Sequence, residues 1–446
     1  MGKEAPALPV PAGNVVRVSS VNELQDAVQN IQSNTTILVE AGEYKLTRTL
    51  VFDGVDSVAL RGATGNRDDV IIRGGGMLDS TYINTVPHVI VVWNVNDILI
   101  ADLTAADAWY HNFHLAGSRG PIRPHLYNVH SLDCGEQHLK VNPGYNPTAF
   151  PDTGIVEYCR FEFTDRAKHW YTNGVDVLDG ANWVARDNEF VRIRGPVGVL
   201  AGPAILFWHT CYNTIVERNF LYECDVGITL GLNAGNSKRF PESEWDHVGG
   251  IIRNNVIFRK GTGDVGISVN HHKDFKIYNN TVFQSYTFPW DIEYRFSSSS
   301  GEIRNNLTGG PIFQRDGATA TVKNNHQGIQ TAWFEDFNNA DLHLTVAAEL
   351  LIDAAVVLDE VPDDYDGHAR PVGEAPDIGA DEFGSVAEEK ILKGDGDDNG
   401  VINIFDLLAM LKALSIQQYS ESMDLDDNGS VNIFDLLALL RLLSQG

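Results

Sequence analysis

"IRNNVIF", residues 252–258, is the stretch whose reading decides the fold. An apolar–polar start, two asparagines and a short apolar run describe a brief strand that breaks at a turn and restarts. The phrase recurs as "VARDNEF" (184–190), "VERNFL" (216–221), "IYNNTVF" (277–283), "IRNNLTG" (303–309) and "VKNNHQ" (322–327). The intervals are irregular, from 19 to 36 residues, and no helical period survives between copies. Such units fit an all-β parallel solenoid, whose rungs stack about 4.8 Å apart. Asn188, Asn219, Asn255, Asn280, Asn306 and Asn325 would then form a ladder at one corner, each amide bonding the next rung.

A second strand follows each such corner. "HLKVN" (138–142), "GVDVL" (174–178), "AILFW" (204–208), "GITLG" (227–231), "GISVN" (266–270), "DIEYR" (291–295) and "PIFQR" (311–315) align as rungs. Side chains alternate across a strand. One inward column is Leu139, Val175, Ile205, Ile228, Ile267, Ile292 and Ile312; the other runs from Val141 to Gln314. The outward columns are Lys140, Asp176, Leu206, Thr229, Ser268, Glu293, Phe313 and Asn142, Leu178, Trp208, Gly231, Asn270, Arg295, Arg315. An aromatic plane among hydrogen-bonding groups suits a sugar chain, whose ring faces stack and whose hydroxyls pair. Long inserts at 143–172, 233–247 and 285–290 would wall that face.

"SVNELQDAVQNI" (20–31) places Val21, Leu24, Val28 and Ile31 on one helical face, as a cap over the first rung requires. Alternating strands follow in "TTILVEAGEYKL" and "VDSVALRGATGNRDDVIIRGGG", and "PDIGADEF" (376–383) closes the region. Together these features resemble the right-handed parallel β-helix superfamily of pectate, chondroitinase-type and alginate lyases, over nearly the whole first 384 residues. The resemblance implies lyase cleavage of a uronate-containing polysaccharide. That chemistry needs a cation on the carboxylate, a base for the neighbouring C–H and an acid for the leaving oxygen. By position type, Lys140 would be the base, its pKa lowered by burial, with Glu136 and Asp176 as metal or orienting ligands and a Ca²⁺ in the groove as an option. Arg295 would be the neutraliser in a second cluster with Glu293. His138, Asn142, Arg194, Trp208, His209, Asn270, His271, Glu293 and Arg315 would bind substrate. "RIRGPVG" (192–198) lacks the pectate-lyase RxPxxR spacing, and the polygalacturonase motifs are missing. Glycoside hydrolysis by a carboxylate pair, such as Asp176 with Asp179 or Glu293 with a neighbour, is the alternative. A non-catalytic glycan-binding solenoid is the third reading.

The far end carries the clearest motif. "DGDDNGVINIFDLLAMLKAL" from Asp395 and "DLDDNGSVNIFDLLALLRLL" from Asp424 repeat at an offset of 29 residues. Oxygen-bearing residues at loop positions 1, 3, 5, 9 and 12 are Asp395, Asp397, Asn399, Asn403 and Asp406, then Asp424, Asp426, Asn428, Asn432 and Asp435. Gly400 and Gly429 take the sharp turn, and Val401 and Ser430 supply a carbonyl, as a hard cation such as Ca²⁺ requires. With Asp at position 12, the pair resembles a type I dockerin. That implies two structural Ca²⁺ ions and a cohesin domain on a cellulosome-type scaffold as partner, contacted near Ile404–Phe405 and Ile433–Phe434. The expected organisation is an N-terminal extension (1–14), a β-helix (15–384), a linker (385–393) and a small α-helical dockerin-like domain (394–446).

The formal charge is −27, of which −20 falls in the first 384 residues. This argues against nucleic acid or an anionic membrane surface as partner. Four cysteines without CxxC spacing read as small buried residues. No apolar run is long enough to span a membrane. The expectation is a monomer, secreted or held in a cell-surface complex; "MGKEAPALPVPAG" has no signal-peptide core, so a leader would have been removed.

Overall fold

A computed structural model describes residues 2–11, 13–116, 123–144, 150–233, 239, 244–285, 288–385, 393–397, 402–416, 418–426 and 428–445. The chain divides into two compact units, Met1–Ser385 and Val386–Gly446.

In the first unit, ten short strands form one sheet in chain order. They are Leu50–Asp53, Ile90–Trp93, Phe113–Ala116, Leu139–Asn142, Val175–Leu178, Pro203–Trp208, Val226–Leu230, Ile267–Asn270, Ile292–Arg295 and Ile312–Gln314. Every neighbouring pair is parallel. The return paths pair with one another in a second, 23-stranded sheet. Each strand thus meets its equivalent one turn later, which defines a parallel β-helix. The register is the one the alternation predicts: Leu139, Val175, Ile205, Ile228, Ile267 and Ile292 lie side by side and fully buried. Gln314, on the last strand, is exposed because no further rung covers it.

The Asn corner is a ladder. Asn188, Asn219, Asn255, Asn280 and Asn306 each donate their amide Nδ2 to the next Oδ1 at 2.9 Å, ending on Asn325. The same oxygen accepts the backbone N–H of the preceding Asn. The residue before each Asn makes the bend in the left-handed region, with φ of 56° at Asp187, 53° at Arg218 and 53° at Asn254. In the earlier rungs Asp102 and Asn128 bend the long strands Asn96–Ala108 and Pro124–Cys134 the same way.

Helix α1 (Val21–Gln29) caps the first rung. Ser20 caps the helix by accepting from Glu23 N–H, and Glu23 accepts from Ser19 N–H, while Leu24 and Val28 are buried. The stretch read as an N-terminal extension is tied to the helix side: Lys3 Nζ meets Asp187 at 2.9 Å, and Arg61 donates to Pro9 O at 2.8 Å. Later in the chain, Trp333, Phe334, Leu342, Leu344, Tyr365 and Ile378 cover outward residues of several rungs, among them Phe220, Val256, Phe258 and Leu307. All four cysteines are free and buried.

The second unit holds α2 (Ile404–Ile416) and α3 (Ile433–Gln445), packed through Met410, Ala413, Met423 and Leu439. Ile404, Phe405, Ile433 and Phe434 are exposed.

Candidate functional site

The strand Leu139–Asn142 turns Lys140 outward because Leu139 and Val141 are drawn into the core. Register places Lys140 between His114 and Asp176. Its Nζ lies 2.6 Å from Asp176 Oδ2 and 3.1 Å from the Tyr171 hydroxyl. The other carboxylate oxygen accepts Trp208 Nε1–H at 2.8 Å. Lys140 is 5% exposed and Asp176 1%. Burial by itself pushes the Lys140 ammonium down, but Asp176 and Tyr171 outweigh it and hold the pKa above its usual value. The expected lysine base thus carries an ion-pair partner that favours its charged form.

Three histidines flank it that the sequence reading missed. His114 Nε2 lies 3.2 Å from Asn142 Oδ1. His111 stacks on His88 with centroids 4.9 Å apart, and its Nε2 lies 3.8 Å from Glu136 Oε2. His111 and His114 centroids are 5.2 Å apart. Burial drives all three imidazoles down, His88 to about 3, so they are neutral near pH 7. Burial also raises the Glu136 carboxyl. The signal was present: "FHLA" (113–116) repeats the strand alternation one rung before the first aligned strand.

Other expected residues fall differently. His138 is not on the groove; it is fully buried, bonded to Ser131 Oγ at 2.9 Å and set edge-on to Phe163 at 4.5 Å. It precedes its strand, where alternation no longer governs direction. Arg194 lies on the turn before Pro203–Trp208, bonded to Glu223. His209 packs on Trp208 at 4.6 Å, with Nδ1 4.0 Å from Asp179. Trp208, expected as a platform, is half-buried and anchors Asp176 through its indole N–H. Between the two expected clusters, Leu206, Thr229 and Ser268 form a deep, buried floor.

The second cluster lies five rungs along, about 24 Å from Lys140. Glu293 is buried, bonded through Oε1 to Ser268 and through Oε2 to Trp290 Nε1 and Arg315, both at 2.8 Å. Arg295 pairs with Asp316 at 2.8 Å, not with Glu293, and its distance from Lys140 keeps the two out of one bond-breaking step. His271 stacks flat on Phe296 at 4.0 Å. Asn270 is buried, its amide bonded to Gly231 O and Ser268 Oγ.

In the second unit, carboxylate oxygens of Asp395, Asp397 and Asp406 lie within 4.8 Å of one another, as do those of Asp424, Asp426 and Asp435. Asp406 and Asp435 are fully buried, and each collects N–H donors from its own loop. Converging, partly buried like charges call for a cation, so the residues fit Ca²⁺. Asn403 and Asn432 cap their helices by accepting from Phe405 and Phe434 N–H, both at 2.8 Å. Asn428 accepts from Ser430 N–H. Asn399 and Val401 lie outside the described residues. Among the described residues, the converging acidic and histidine clusters lie in the C-terminal cover and the tail loops.

No protein-family model matches this sequence, and no curated protein aligns with it. Among solved structures, pectate lyase Pel9A superposes with a TM-score of 0.48 at 12% identity, covering 83% of this chain and 96% of that one. An alginate lyase from Paenibacillus sp. str. FPU-7 gives 0.38 at 14% identity, over 71% of this chain and 96% of its own. A polygalacturonase from Erwinia carotovora ssp. carotovora gives 0.38 at 12%, over 73% and 98%. The fold assignment rests on the strand pairings, not on these likenesses.

Proposed function

We propose that the protein is a carbohydrate-active enzyme, a polysaccharide lyase that cleaves a uronate-containing chain at the Lys140 end of the groove. One set of contacts supports this: the Lys140 ammonium, held by Asp176 and Tyr171, beside the neutral imidazoles of His111 and His114. Lys140 would neutralise the uronate carboxylate and so acidify the adjacent C–H. His114, its neighbour in the column, would take the proton. The Tyr171 hydroxyl would protonate the leaving glycosidic oxygen as the C–O bond breaks, leaving a C=C bond in the product. Hydrolysis by the expected carboxylates is the second reading; Asp176 and Glu293 are buried with both oxygens bonded.

The tail reads as a dockerin-like module: two Ca²⁺ ions would fix the loops, and the exposed Ile404–Phe405 and Ile433–Phe434 would face a cohesin domain. Secretion is part of that reading. The test is incubation with acidic and neutral polysaccharides, followed by ultraviolet absorbance and reducing ends. Absorbing products from an acidic glycan, lost in Lys140→Met and His114→Ala, are expected. New reducing ends without absorbance would sink the lyase reading. Binding without either signal would point to a glycan-binding solenoid.

A further inference from the structure

Opposite in chemistry to the groove is a cluster in the C-terminal cover of the β-helix. Strand Asp341–Leu344 presents His343; the loop at 364–368 presents Asp366; Asp381 comes from the closing segment. One ligand atom from each of these three side chains lies within 4.8 Å of the other two. His343 Nε2 is 2.8 Å from Asp366 Oδ2. A second set, Asp364, Asp366 and His368, meets the same distance condition and shares Asp366. A small cavity of about 10 Å³ beside the first set is lined by Val256, Leu342, His343, Tyr365 and Asp381.

We propose that His343, Asp366 and Asp381 form a binding site for a divalent transition-metal ion such as Zn²⁺. The donor set is mixed: an imidazole with carboxylates, the combination that suits such ions rather than Ca²⁺. The orientation of His343 is what a metal ligand needs. Its Nδ1 meets Asp341 Oδ1 at 2.5 Å, which orients the ring and keeps Nε2 on Asp366 Oδ2. The ion would join three chain segments far apart in sequence, and so staple the cover whose apolar side shields Phe220, Val256 and Leu307. It is independent of the groove chemistry and of the tail loops, which contain no histidine.

The test uses the full chain, stripped of metal and then held in excess Ca²⁺ to fill the tail loops. Zn²⁺ is titrated by calorimetry and by the rise in Tm. One Zn²⁺ per chain with a Zn²⁺-dependent rise in Tm is expected, with mixed nitrogen and oxygen ligands by X-ray absorption. His343→Gln and Asp381→Asn should lose both signals. Asp341→Asn, which removes only the orienting acid, should weaken Zn²⁺ about 10–100-fold. If wild type binds no Zn²⁺, or if His343→Gln keeps the same stoichiometry, the site does not exist. A drop in Tm for His343→Gln that is equal with and without Zn²⁺ would likewise reduce the cluster to a plain ion-pair clamp.

Discussion

Lys140 and Asp176 show how much one hydrogen-bond partner changes a residue's meaning. Strand alternation is enough to put them side by side on the outer face. It does not reveal Tyr171, which reaches Lys140 from 31 residues away and helps keep it charged. Breaking a buried pair leaves an uncompensated charge, so Asp176→Ala should cost about 3–5 kcal/mol in a urea melt. The double variant Lys140→Met with Asp176→Leu should recover most of that loss yet remain inactive. Recovery of both stability and activity would remove Lys140 from the chemistry. Glu162 gives a pH test at the same scale. Burial opposes its charge, yet His130 and Arg160 hold its pKa down from 4.5 to about 2. A depressed carboxyl contributes stability above its unfolded value and loses it as pH falls, so the contribution should fade between pH 4.5 and 2. Glu162→Gln should flatten that part of the pH–Tm curve.

Among the elements, the Asn corner and the ten-stranded sheet were the most legible. A repeat of period two along each strand, and of one Asn per rung, leaves a single register that buries every apolar column. Each ladder amide both donates and accepts, so Asn255→Ala strands groups on two rungs at once. It should destabilise by about 1–3 kcal/mol in guanidinium melts. Asn325→Ala, at the last and partly exposed step, should cost less. Equal effects at both positions would mean that burial does not set the ladder's strength. The strand Phe113–Ala116 shows the limit of this kind of reading: it has the same alternation, but no Asn phrase precedes it, and His114 went unseen.

At the scale of the molecule, the chain divides into a long parallel β-helix unit and a short helical one. If the tail loops depend on Ca²⁺, chelation should remove the far-ultraviolet signal of α2 and α3 and leave the main β transition in place. Helicity unchanged by chelation would overturn the Ca²⁺-loop reading. The flanks of the β-helix are where packing between distant segments acts. Residues 3–9 bond along its side, and the cover from Trp333 to Ile378 buries outward aromatics that a bare solenoid would expose. By itself, the sequence determined the coil, its register, its Asn corner and the spacing of oxygen-bearing residues in the tail loops, because each follows from a local period or a contiguous motif. Only the tertiary structure decided that Lys140 meets Tyr171, that His88, His111 and His114 gather beside it, that His138 turns inward, and that Arg295 pairs with Asp316. Those contacts come from turns and inserts between the strands, where no period constrains which side chain arrives at the groove.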